Sequence, residues 1–187
     1  MEHYLEYAPT KRVTKASFPR KIPAKDYAQP VTTPWVVALP PGSLATLLMG
    51  FSAQIMDHKW HVYAEGPDAD GKVDVHFLRS WTGNPIVTAR IETAQREGGA
   101  EGGEHAKEEE ARIVEITWEA DRTRGPFNHQ PTEESAQNWV VDVCDWVFGI
   151  RLPGQTGEYK SLQIREDDDS KADIVMRQVS IGTSELP

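Results

Sequence analysis

Arg79, Ser80, Trp81, Thr82 and Gly83 bring a guanidinium, two hydroxyls, an indole and a bare backbone together in five consecutive positions. A guanidinium fork matches a carboxylate or a phosphate. The hydroxyls add donors, and glycine lets backbone approach a ligand closely. Arg79, Ser80, Trp81 and Thr82 are therefore the candidate ligand-binding set. Val73, Val75 and Phe77 alternate inward, which makes Arg79 and then Trp81 the next inward positions. Three accounts of Arg79 are open. The strand can bulge at Leu78 and turn it to solvent. It can pair inside with a carboxylate, because arginine is seldom buried alone. Or the sheet end can open into a pocket where it grips an anion.

The histidines come next. His58 and His61 point to opposite faces of a strand and make a poor metal pair. In a hairpin register that sets Ala64 opposite Val73, His61 lies across from His76 and Tyr63 across from Asp74. His58 then lies across from Arg79 and joins the ligand-binding set. Zinc takes three or four ligands, and only Asp74 is near, so no metal is expected and the histidines are read as solvated on an open sheet face. Cys144 sits in an apolar helical stripe as a small filler, and Asp142 and Asp145 lie on the polar side of that helix. The run Glu166 to Asp169 lacks the glycine and final glutamate of a calcium loop. The sequence has no phosphate loop, dinucleotide fingerprint, serine elbow or paired-cysteine motif. No cofactor is expected, and catalytic residues are unknown.

The elements that must position these residues are strands. "PWVVALP", "KWHVYAE", "VDVHFLRSW", "PIVTARIET" and "RIVEITWEA" alternate or run apolar with short connections, as in an antiparallel meander. "EYKSLQIRE" and "ADIVMRQVSI" are candidates for two more. Leu44, Leu47, Leu48, Phe51 and Ile55 share one helical face over 43–55, with Ser43 as cap. A second helix over 132–148 starts at Thr132 and stops at Gly149. The fold class is α+β: a curved antiparallel sheet of about five to seven strands with both helices on one face.

Residues 1–33 form an extended basic arm with Pro9, Pro19, Pro23 and Pro30; residues 34–187 form one domain. Six Lys/Arg against three Asp/Glu give residues 1–30 a charge of +3, which leaves −12 of the total −9 to the rest. Such an arm can fold back on the acidic body or touch an acidic partner. Residues 97–110 are a disordered acidic insertion in a hairpin, with six Glu and no large apolar residue. The net charge argues against nucleic acid as a partner. Apolar runs too short for a membrane span argue against a membrane partner. The single cysteine and lack of a leader pattern point to cytoplasm or nucleus.

"KWHVYAEG" and "VDVHFLRSWTGNPI" resemble a family of small uncharacterised bacterial and fungal proteins, in which a Trp/Tyr strand precedes a strand ending in Arg-Ser-Trp-Thr-Gly. The resemblance covers about 57–92. It implies no catalytic residues, and it points any bound anion toward a nucleotide phosphate.

Three functions are weighed. One is a non-catalytic module that binds a small anionic ligand or a protein segment through the concave sheet face and the 78–85 corner. Another is a small hydrolase or isomerase for an anionic substrate, with Arg79 as clamp and His58 or His76 as acid/base. The last is an assembly protein whose tryptophans make a homodimer face.

Overall fold

Side chains that alternate with a period of two build the centre of the molecule. A computed structural model describes residues 6–18, 24–55, 57–93, 110–124 and 130–153, all within the unit Met1–Gly154. The strands are β1 (Pro30–Ala38), β2 (Trp60–Glu65), β3 (Lys72–Arg79), β4 (Pro85–Thr93) and β5 (Ala111–Glu119). They form one antiparallel sheet in the order β1-β5-β4-β3-β2. The expected α+β class holds, with five strands among the described residues. The two further strands expected after residue 157 lie outside them, as does the acidic insertion apart from Glu110.

One sheet face carries Val62, Val75, Phe77, Val87, Ile91, Ile113 and Ile116, all essentially without solvent exposure. Helices α1 (Ser43–Met49) and α2 (Glu133–Phe148) cover this face, with Leu47, Val140, Val143 and Val147 in the same core. Thr132 caps α2: its hydroxyl accepts from the Ser135 amide at 3.2 Å, and Ser135 Oγ accepts from the Thr132 amide at 2.8 Å.

Helix α1 is shorter than the expected 43–55. It ends at Gly50, which takes φ +73°, and Phe51 then bridges Val62 on β2 with hydrogen bonds of 2.8 and 2.7 Å. A Cβ at Gly50 would lie 2.5 Å from the Val62 carbonyl. The close pairing thus requires glycine and excludes another helical turn. Ser43 is the first helical residue rather than the cap, which is Gly42.

The N-terminal segment covers part of the second sheet face. Val13 and Phe18 pack with Tyr63 and Leu78 in a separate small apolar cluster. The edges are also closed. Arg12 donates through Nη2 to the Ala64 and Gly66 carbonyls at 2.9 and 2.8 Å, beside the Phe51 bridge on β2. At the other edge, Ala120 donates to Gln29, so Gln29, Val31 and Thr33 turn their backbone groups toward β5. Pro30 and Pro34 fall on the outward-facing alternates, where a missing N–H breaks no ladder bond and deprives a foreign strand of donors. This outward placement lets β1 begin at Pro30, four residues before the strand expected from "PWVVALP".

Candidate functional site

The RSWTG stretch is a corner tied to its surroundings. β3 ends at Arg79, whose amide donates to the Asn84 carbonyl (3.0 Å) and whose carbonyl accepts from Gly83 (2.9 Å). Gly83 takes φ +70°, a conformation that suits glycine. The pairing slips between Phe77 and Leu78, where β4 contributes the extra residue, Ile86. Arg79 is not swung out by this. It is half-buried, opposite Trp60 on β2, with its guanidinium 5.5 Å from the centroid of that ring. Ser80 is buried and donates to the His58 carbonyl at 2.6 Å, and Thr82 Oγ1 accepts from the Asn84 amide at 3.2 Å. Trp81 does not continue the inward set: it is 38% exposed, because the strand stops before it and the turn carries it off the sheet.

His58 is brought to this corner, though not across from Arg79. Its ring is fully buried between Tyr7 and Phe51, at centroid distances of 4.8 and 5.1 Å, and Nδ1 accepts from the Gln54 amide at 3.2 Å. The β2–β3 register differs by two residues from the expected one. Ala64 faces Val75, His61 faces Leu78, Tyr63 faces His76 and Glu65 faces Asp74. A shift of two keeps every side chain on its expected face but separates His61 from His76. The expected solvated histidines are also corrected. His61 is fully buried, and His76 exposes one fifth of its side chain. At His61 the reason is the N-terminal segment, whose Phe18 lies on the ring at 4.6 Å; His76 is covered by the stacked Tyr63 ring at 4.6 Å.

The described parts of that segment are held at several points. Val13 donates to the Met49 carbonyl at 2.8 Å. Lys25 donates its amide to the Gly83 carbonyl (2.9 Å) and its Nζ to Asn84 Oδ1 (3.0 Å), so the segment touches the 78–85 corner directly. The Glu119 carboxylate, 1% exposed, accepts from the successive amides of Ala28 (2.7 Å) and Gln29 (2.9 Å), from the Asp121 amide and from Arg124. Tyr27 reaches Thr88 Oγ1 at 2.8 Å and donates to the Thr117 carbonyl at 3.1 Å, and burial holds its hydroxyl well above its ordinary titration range.

Beneath Tyr27 runs a chain of polar groups. Glu65 Oε2 lies 3.2 Å from His76 Nε2, and His76 Nδ1 lies 3.0 Å from Thr88 Oγ1. With Nε2 protonated toward the carboxylate, Nδ1 accepts the Thr88 proton. Tyr63 stacks on His76 at 4.6 Å, and burial raises its own hydroxyl to about 12. Carboxylate, imidazole and hydroxyl in this order also occur in acyl-transfer chemistry, but here the hydroxyl lies under Tyr27. Cys144 is a buried filler, its thiol pushed up to about 12 by burial.

Sequence reasoning missed Lys25, Tyr27, Asn84 and Glu119. One signal was present: Tyr63 and Leu78 are apolar residues on the face read as open, and each requires a cover. Two cavities lie elsewhere. One, of about 330 Å³, is lined by Leu39, Glu92, Glu110 and Arg112 among others; the second, about 200 Å³, by Pro9, Thr46, Met49 and Phe148 among others. Neither is lined by a residue of 78–85. Among the described residues no group of three or more His, Cys, Asp or Glu could hold a metal, and no helix is long and apolar enough to cross a membrane. Comparison with protein-family models, curated proteins and solved structures finds no match in any of the three.

Proposed function

We propose that the chain is a non-catalytic binding module that recognises an extended, basic polypeptide segment across the second sheet face and the 78–85 corner. One observation carries this reading: such a segment, the N-terminal arm, is already seated there. Its grip combines apolar anchors at Val13 and Phe18 with directed bonds from Arg12, Lys25, Tyr27 and the amides of Ala28 and Gln29. Main-chain bonds supply affinity, and side-chain seats supply selectivity. The small-anion reading is less well supported, because the Ser80 proton goes to the His58 carbonyl and the Arg79 guanidinium lies over Trp60. The cis arm acts as a competitor that a partner segment must displace.

The test is fluorescence anisotropy with a labelled peptide of residues 6–29 and the full-length protein. The tethered arm competes at an effective concentration on the order of millimolar, so the wild type binds the peptide weakly. A Phe18→Ala/Tyr27→Ala chain, shown folded by its melt, binds it at least about tenfold more tightly, as each anchor removed from the arm favours the peptide. Equal binding of a scrambled peptide, or no binding by the folded variant, overturns the reading.

The Glu65–His76–Thr88 chain supports a second reading, a small hydrolase or isomerase with His76 as acid/base. It predicts turnover of activated esters that rises in the Phe18→Ala/Tyr27→Ala chain and is lost on adding Thr88→Val. No turnover in either protein removes it.

A further inference from the structure

We propose that arm docking is an acid-sensitive latch in which His61 is the trigger: its protonation expels the arm from the sheet. The inference rests on the arm-docking reading above and adds its regulation.

The seat of His61 has no place for a charge. The ring is fully buried. Phe18 of the arm lies on it at 4.6 Å, Tyr63 is 6.0 Å away, and its cross-strand neighbour is Leu78. Val13 completes the apolar cluster. Neither ring nitrogen has a hydrogen-bond partner among the described residues. The Thr14 backbone, outside hydrogen-bond geometry, eases protonation only in part, and burial holds the imidazole down to about 4. An uncompensated imidazolium in such a site is unfavourable, and arm release relieves this by giving it water.

Among the described residues, the ionisable groups around it supply no counter-charge. On the arm, Lys15 and Asp26 lie 3.9 Å apart, and Arg12 is held by the Ala64 and Gly66 carbonyls. On β2 and β3, the Glu65 carboxylate reaches His76 Nε2, and Asp74 is paired with Arg90. His76 is the contrast. Burial lowers its titration too, but Glu65 sits 3.2 Å away. On protonation Nδ1 can donate to Thr88, which donates to Tyr27, which still donates to the Thr117 carbonyl. While Nδ1 is unprotonated these three contacts share two hydroxyl protons, and the added proton gives each contact its own, so His76 tolerates the proton that His61 does not.

The sign follows from linkage. His61 titrates at about 4 with the arm docked and near 6.5 once exposed, so the released state binds more protons between these values. Docking weakens up to about tenfold per pH unit as pH falls through this window, about 300-fold in all, and levels off below it.

The experiment is an NMR pH titration of the full chain, following the histidine rings and backbone amides. In the wild type, the Val13, Phe18 and Tyr27 amides leave their docked positions at a higher pH than Ile91 and Ile116 of the sheet. His61→Phe shifts arm release to lower pH, and His76→Gln does not. Simultaneous loss of arm and sheet signals, or a His61 ring that titrates near 6.5 with the arm docked, overturns the latch. The ring titration is read in the wild type, so a His61→Phe chain that fails to fold does not remove the test. The two readings fail separately. Arm amides undocked at pH 7.5 sink the docking reading itself, whereas docked amides with no acid response sink only the latch.

Discussion

Arg79 of β3 lies over its cross-strand neighbour Trp60 of β2, guanidinium to ring centroid 5.5 Å, at the end of the sheet where Ser80 turns away to the His58 carbonyl. The arginine follows the inward alternation and meets an indole face, so its charge lies on the ring while the residue remains half-buried. Arg79→Gln should cost about 0.5–2 kcal/mol in chemical denaturation, the range for a cation–π contact. A double-mutant cycle with Trp60→Leu should recover most of that as coupling. Trp81→Ala should cost less than the ~3–5 kcal/mol of a core tryptophan, because Trp81 is 38% exposed.

Glu119 ties the arm to β5. Its buried carboxylate accepts from Ala28, Gln29, Asp121 and Arg124. Glu119→Gln turns an amide toward donors and removes the partner of Arg124. A loss of about 3–5 kcal/mol is expected, as for a buried pair with one partner removed, with hydrogen exchange accelerated first at 28 and 29. Unchanged exchange there would show that the carboxylate is not what fixes the arm.

Asp142 on α2 titrates at about 6, raised by burial and then by Asp145. The folded state therefore holds its proton more tightly than the unfolded state between about 4 and 6, and stability falls as pH rises through that window. Asp142→Asn should raise the melting temperature at pH 8 and leave it unchanged near pH 3.5. A gain independent of pH would point to something other than the charge.

Much of this architecture is legible in the chain because its causes are local. Period-two alternation in "VDVHF", "PIVTARIET" and "RIVEITW" and the Thr132 and Gly149 caps of α2 depend on neighbours a few residues away. Which face each strand residue takes follows from the pleat alone. The candidate site was legible only as a list of residue types. Whether Arg79 meets an anion or an indole depends on a hairpin register, and a slip of two residues leaves every apolar pattern unchanged while exchanging all the cross-strand partners. The end of α1 at Gly50 was set by the backbone of β2 pressing on it, a contact between distant segments. The burial of His61 and the grip of Glu119 exist because residues 13–18 and 24–29 lie back over the sheet. No periodicity in that proline-bearing stretch encodes such a docking. It results from shape and hydrogen-bond complementarity between segments some 50 to 90 residues apart, which only the tertiary structure brings together.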